Sequence, residues 1–342
     1  MTKSQRIAAP TADRVLFLDG WRGAAIGLVL IGHFLPVPGS DAGRAGVELF
    51  FLLSGLLMGR LLIEKQVPLK RFFLRRIGRV LPGLTAFLGV AVVLQLAAPR
   101  IFERFSLGDV SSIVLFFSNY RFLEDRPGIF GHTWSLSIEE HSYVFLGVLA
   151  VLSYRRRKLV SGLASAAIAA MWVRGYLLTD SGLGYHEVFW RSDVRGASIA
   201  LGFALYLRRA ELQSAFTKTR LPLVAIQLML LAVAAPLLLI RAVPNPLKYS
   251  LGTLACGLLL VSFYLGEGRA RNILEDPKLR WLGKYSYSIY LFQQIFHVWK
   301  VDFPFVFWPA LGLVSVAVGR LSYTFFEQPG QRVIDRITSR ME

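Results

Sequence analysis

The chain has 342 residues, is 54% hydrophobic and carries a formal net charge of +17 from 39 basic and 22 acidic side chains. Its hydrophobicity falls in blocks of about 20 residues, the length that crosses a hydrocarbon core roughly 30 Å thick as a helix, which points to a polytopic all-α membrane bundle and away from a soluble enzyme. In a soluble protein the basic excess would suggest a nucleic-acid partner, but Lys/Arg-rich cytoplasmic loops account for it here, and the lone Cys256 excludes an internal disulfide.

Met1 to Asp13 is polar and the first apolar segment is full length, so no cleavable signal peptide is expected. Ten spanning helices are expected, over 16–36, 45–64, 80–98, 134–153, 159–178, 189–207, 221–241, 248–266, 286–299 and 305–326. Val110 to Phe122 is short for a span and is expected to be a re-entrant or peripheral helix in a long loop. With the N-terminus in the cytoplasm, 26 of the 39 basic residues, among them Lys3, Arg6, Arg14 and Arg155 to Lys158, fall on the cytoplasmic side and 10 on the outer side. That bias places both termini inside, and an eleven-helix arrangement would put one basic block outside. No internal repeat, low-complexity tract or appended soluble domain is expected, so 1–342 reads as a single membrane domain.

The first span, LFLDGWRGAAIGLVLIGHFLP, holds Asp19, Arg22 and His33. Arg22 and His33 are eleven residues apart, on one stripe of the helix and roughly 16 Å apart along its axis. A cation at mid-helix costs roughly 2.5–3.5 kcal/mol on insertion scales, so such residues usually mark function. Taken singly, Arg22 could snorkel to one interface and His33 could reach the other. Taken together they suggest a guanidinium able to clamp an anion and an imidazole able to take a hydroxyl proton.

Next comes GRAGVELFFLLSG, in which Glu48 begins an otherwise apolar helix. It is either a carboxylate favoured at a helix N-terminus or a partner for Arg22 or His33. Gly43, Gly46, Ser54 and Gly55 permit close helix approach. The run from Lys70 to Pro82 carries Arg75, Arg76 and Arg79 within about a turn, either as an orientation signal or as a phosphate-binding set. In HTWSLSIEEHSY, Glu139, Glu140 and two histidines enter a span together, and Glu139 shares a face with Tyr143. The His132 to His141 spacing fits no zinc pattern and no metal is expected. WRSDVRGASIALG places Arg195 inside a span, where it needs a partner from another helix. Finally, WLGKYSYSIYLFQQIF puts Tyr285, Ser286, Tyr287, Ser288, Tyr290, Gln293 and Gln294 on one polar, aromatic helix. That helix suits either a cavity for a hydroxylated ligand or helix–helix hydrogen bonding.

These pieces, in this order, resemble the acyltransferase family 3 membrane O-acyltransferases, which include O-antigen, exopolysaccharide and macrolide acyltransferases. The matching segments are FLDGWRGAAIGLVLIGHF, AGVELFFLLSG, FLRRIGRVLP, HTWSLSIEEHSY, SDVRGASIALG and LGKYSYSIYLFQQ, spread from residue 17 to about 294. The resemblance implies transfer of an acyl group, acetyl being the expected one, from cytoplasmic acyl-CoA to a hydroxyl of a glycan, a lipid-linked sugar or a related acceptor. It makes Arg22 and His33 the essential pair and Glu48 the family's acidic residue. It also makes Arg75, Arg76 and Arg79 the cytoplasmic basic motif, and Trp134, Ser135 and Glu139 the WSL-x-x-E core.

The chain departs from that pattern at His141 and Ser142, where glutamine and phenylalanine are usual, and at Gln293, where tryptophan–histidine often follows the tyrosine–leucine. The resemblance therefore implies a multi-pass protein of the bacterial inner membrane. In it His33, Arg22, Glu48 and Glu139 are catalytic, and Arg75, Arg76, Arg79, Trp134 and Ser135 bind acyl-CoA. Asp19, Tyr143, Arg195, Tyr287 and Tyr290 contact the acceptor. A secondary transporter or flippase is the rival, since buried charges also mark substrate pathways, but the inverted repeats common in transporters are not detected. A non-catalytic assembly component would leave the polar clusters unexplained.

Overall fold

A computed structural model describes residues 15–35, 37–99, 101–102, 104–123, 128–152, 156–266 and 269–340. Met1 to Asp13, Arg14 and Arg155, on which part of the orientation rests, and Pro36 at the expected end of the first span lie outside these residues. The regular secondary structure of the described residues is all helical, with an isolated bridge between Ser40 and Ile240 as the β-type pairing.

In chain order the helices are α1 Leu16–Phe34, α2 Ala42–Met58, α3 Leu69–Ala97, α4 Leu107–Val114, α5 Ser118–Arg121 and α6 Trp134–Leu152. They continue as α7 Arg157–Asp180, α8 Tyr185–Phe189, α9 Ser192–Leu207, α10 Arg209–Lys218, α11 Leu223–Leu239 and α12 Asn245–Leu247. The last are α13 Thr253–Ser262, α14 Arg269–Leu274, α15 Pro277–Lys284, α16 Ser286–Trp299, α17 Trp308–Ser322 and α18 Gln328–Ser339. A wide, π-type turn extends α2 through Gly59–Glu64 and another joins α17 to α18 through Tyr323–Glu327.

Among the described residues, five helical segments are long and apolar enough to cross a membrane: Ala42–Glu64, Leu69–Ala97, Gly128–Leu152, Arg157–Asp180 and Phe305–Ser339. A sixth is added if α10 and α11, bent by 107°, count as one span. The other expected spans are polar or short for physical reasons. In α1, Asp19, Arg22 and His33 lower the hydropathy, and α9, α13 and α16 are 16, 10 and 14 residues long. The stretch around Val110 forms two short helices, and Ser106 and Asp109 build a capping box at the start of α4. The outward faces of α3 and α6 are apolar, with Leu96 79% and Leu152 77% exposed, as lipid-facing side chains are.

Two features of this framework position the interior residues. First, α3 begins at Leu69, directly after Pro68, rather than near residue 80. The basic run is therefore helical, because Leu, Lys and Arg are good helix formers, and the helix continues through Gly78 and Pro82. Arg75, Arg76 and Arg79 thus project from a continuous 29-residue helix. Second, small residues let α2 approach its neighbours closely. A Cβ on Gly46 would lie 2.5 Å from the carbonyl oxygen of Ala25 in α1, and one on Gly55 would lie 1.8 Å from that of Ile199 in α9. That proximity brings Glu48 of α2 against Arg195 of α9.

Candidate active site

Arg22 of α1 and Arg75, Arg76 and Arg79 of α3 line one cavity of about 330 Å³, together with Ser54, Ser135, Glu139, Tyr143, Tyr287 and Tyr290. The four guanidinium groups are not equivalent. Arg76 is paired with two carboxylates: its Nε donates to Glu140 at 2.7 Å, its Nη2 donates to Glu139, and it lies 4.3 Å over the Tyr143 ring. Glu139 also accepts from the Ser54 hydroxyl and, at 3.3 Å, from the Tyr143 hydroxyl. Arg75 faces Asp335 of α18 at 3.7 Å across an exposed surface, and Arg22 lies 3.6 Å from Asp19. Among the described residues no carboxylate comes within 4 Å of Arg79. Arg22, Arg75, Arg79 and Leu57 also line an adjoining cavity of about 470 Å³, which adds Arg60, Lys284 and Glu327. The two cavities together form a basic, open-mouthed space.

His33 opens elsewhere. It lines a third cavity of about 470 Å³ with His132, His297, Trp134, Trp190, Tyr185 and Gln294. Thus Arg22 and His33, although on one stripe of α1, serve different cavities. Val47 and Tyr290 line both the arginine cavity and the histidine cavity, so the two spaces abut there. The Tyr290 hydroxyl is fixed by Ser135 Oγ at 2.8 Å and by the carbonyl of His132 at 3.1 Å.

The carboxylates expected near His33 are engaged with other groups. Glu48, fully buried, pairs with Arg195 at 2.6 Å and accepts from Thr253 at 2.6 Å. It is a partner of neither Arg22 nor His33, because its side chain points across the α2–α9 contact. Glu139 lies in the arginine cavity. What touches the imidazole edge is Gln293, whose Oε1 is 2.5 Å from Nδ1. His297 stacks on the ring at 3.9 Å between centroids, and the Lys300 ammonium donates to the His33 carbonyl.

Other expected contacts also find partners within the protein. The Tyr287 hydroxyl donates to the carbonyl of Val80 at 2.8 Å. Trp134 stacks on Trp190 with centroids 5.5 Å apart and planes 8° apart, beside His33 rather than beside the arginines. The Arg195 guanidinium lies 3.4 Å over the Tyr249 ring. His132, 5% exposed, has no hydrogen-bond partner on either ring nitrogen among the described residues. His297 and Lys300 were not among the expected site residues, and Gln293 stood among the polar residues of its helix and as a departure from the family pattern, not as a contact of His33. The spacing 293, 297, 300, one stripe of a helix, is the signal that could have found them.

Membrane-length apolar helices around a basic cavity and an adjoining imidazole cavity define an integral, multi-pass membrane protein with a polar interior. The family model described as an acyltransferase domain matches residues 15–323, and the chain belongs to that family, acyltransferase family 3.

Among curated relatives, the chain is similar to the Bacillus subtilis (strain 168) protein YrhL, provisionally named a peptidoglycan O-acetyltransferase. The two are 26% identical over 344 residues, covering 91% of this chain and 54% of that protein. It is also similar to the peptidoglycan O-acetyltransferase OatA of Listeria monocytogenes serovar 1/2a, at 25% identity over 352 residues, 91% of this chain and 55% of that protein. The chain spans about half the length of these relatives. No solved structure matches it significantly.

Proposed function

We propose that the protein is an O-acyltransferase of the bacterial inner membrane, with ten spans and both termini in the cytoplasm. It would move an acyl group, acetyl in the simplest case, from cytoplasmic acyl-CoA to a hydroxyl of a glycan or lipid-linked sugar. Support comes from the adjacency of two chemically distinct cavities. One is basic, with no carboxylate of the described residues within 4 Å of Arg79 and with Arg22 and Arg75 only loosely paired, and it suits the phosphates of CoA. The other holds a partly accessible imidazole among aromatic side chains and suits a hydroxylated acceptor. They meet at Val47 and Tyr290, where a thin pantetheine arm reaching from the first would present its thioester to the second.

In this scheme His33 is the general base. It removes the proton from the acceptor hydroxyl, the oxygen forms a C–O bond with the thioester carbonyl carbon, and the C–S bond breaks. The CoA thiolate leaves and receives the proton from the imidazolium. Arg76 is held by Glu139 and Glu140 and shapes the wall of the donor cavity, while Arg22, Arg75 and Arg79 meet the phosphates. Acetylation of peptidoglycan, the activity named for the relatives, is one acceptor that fits this scheme.

The test is an assay of the purified full chain with acetyl-CoA and envelope glycan from its host. Thiol release that matches label transferred to glycan supports the proposal. Uptake or flipping of sugar with no thiol released sinks it in favour of transport.

A further inference from the structure

His33 is gripped by three residues from one stripe of a single helical segment. Gln293 and His297 of α16, and Lys300 just after it, recur at i, i+4 and i+7. Each holds a different part of His33: Gln293 the Nδ1 edge, His297 the ring face and Lys300 the backbone carbonyl.

The Gln293 contact also decides where the proton sits. Its Nε2 donates to the carbonyl of Tyr290 at 3.3 Å. A carbonyl can only accept, so the amide is oriented with Oε1 toward His33. An amide oxygen can likewise only accept, so the contact requires the proton on Nδ1. A neutral imidazole carries one N–H, so its lone pair lies on Nε2. Nε2 lies on the side of the ring toward Gly43, where a Cβ on that glycine would come 3.6 Å from it, and Gly43 and His33 both line the cavity.

We propose that Gln293 is the positioning residue of the reaction, fixing the His33 tautomer so that Nε2 is the atom that takes the acceptor proton. This rests on His33 being the base, as proposed above. Nδ1–H stays on Gln293 through the cycle described there. In the other tautomer the lone pair would face Gln293, and Nε2–H would offer a proton where one must be removed. A carboxylate is the commoner orienter of an imidazole, but an uncharged amide does the same at a smaller desolvation cost inside a membrane protein.

The full chain in vesicles from its host is assayed for transfer of labelled acetyl from acetyl-CoA to the envelope glycan, with kcat and the KM for acetyl-CoA read separately. Gln293→Leu is expected to lower kcat about 10- to 100-fold, less than the whole contribution of a general base, with KM unchanged within about twofold. Gln293→Glu, whose ionised side chain also only accepts, is expected to restore most of the lost kcat. A leucine variant with wild-type kcat overturns the positioning role, and so does a folded glutamate variant as inactive as the leucine one. If the leucine variant fails to fold, the glutamate variant decides alone: active supports the role, folded and inactive overturns it. His33→Gln, run alongside, separates the two claims. If it retains transfer the base assignment falls, and if it is dead while Gln293→Leu is fully active only the positioning role falls.

Discussion

Glu48 and Arg195 form an ion pair 2.6 Å long with both side chains essentially inaccessible, at 0% and 1% exposure. The pair ties α2 to α9 at the level of the histidine cavity, and the Tyr249 ring covers the guanidinium. Breaking such a pair leaves an uncompensated buried charge, which typically costs about 3–5 kcal/mol. Arg195→Leu and Glu48→Leu alone should each lower the unfolding midpoint of the detergent-solubilised protein sharply. The double variant should recover much of the loss, because no charge remains stranded. A double variant no better than the worse single one would show that the two residues act separately.

The pairing also shows what a sequence can and cannot reveal here. Asp19, Arg22, His33, Glu48 and Arg195 all stand out because charged and ionisable residues are rare in apolar helices. Arg195 was expected to need a partner on another helix, and it has one. Which charge meets which is set by the α2–α9 approach through Gly55 and Gly202, a tertiary fact that no spacing along one helix encodes. The same holds for His33: its stripe with Arg22 is real, yet the helix runs past two separate cavities. Helix boundaries were legible where hydropathy changes abruptly, as at Leu16. They were not legible at Leu69, where a basic run continues a helix beyond its apolar part. The short α16 is rich in polar residues, and polarity lowers a helix in a hydropathy count.

The arginines of the basic cavity should separate on mutation. Arg79 has no carboxylate within 4 Å among the described residues, so its charge is available to a ligand. Arg76 is neutralised by Glu139 and Glu140. Arg79→Ala should raise the KM for acetyl-CoA about tenfold or more, the scale of one lost charge-assisted contact, with little change in the unfolding midpoint. Arg76→Ala should instead destabilise the protein, because it strands two carboxylates. Titration with acetyl-CoA and a thermal melt of each variant check this. The reverse pattern would make Arg79 structural and Arg76 the phosphate contact.

His33→Ala should abolish transfer while the protein still binds CoA, because the imidazole lies outside both arginine-lined cavities. The expected loss is at least the 10²–10⁴-fold that a general base contributes. Calorimetric titration with CoA alongside the transfer assay separates the two properties. Near-normal transfer in this variant would remove His33 from the chemistry.

Val47 is the sharpest test of the passage between the cavities. It lines both, and it follows Gly46, whose lack of a side chain lets α2 lie against α1. Val47 is therefore held on a rigid, closely packed helix and cannot easily swing aside. Val47→Phe adds bulk at the boundary and should stop transfer while leaving CoA binding within a few-fold of wild type. Val47→Ala removes two methyl groups there and should keep acetyl transfer and admit longer acyl donors such as butyryl-CoA. Both variants keep every polar group of either cavity, so the difference between them isolates space from chemistry. Equal activity in the phenylalanine and alanine variants would show that the acyl group takes another route between the arginines and His33.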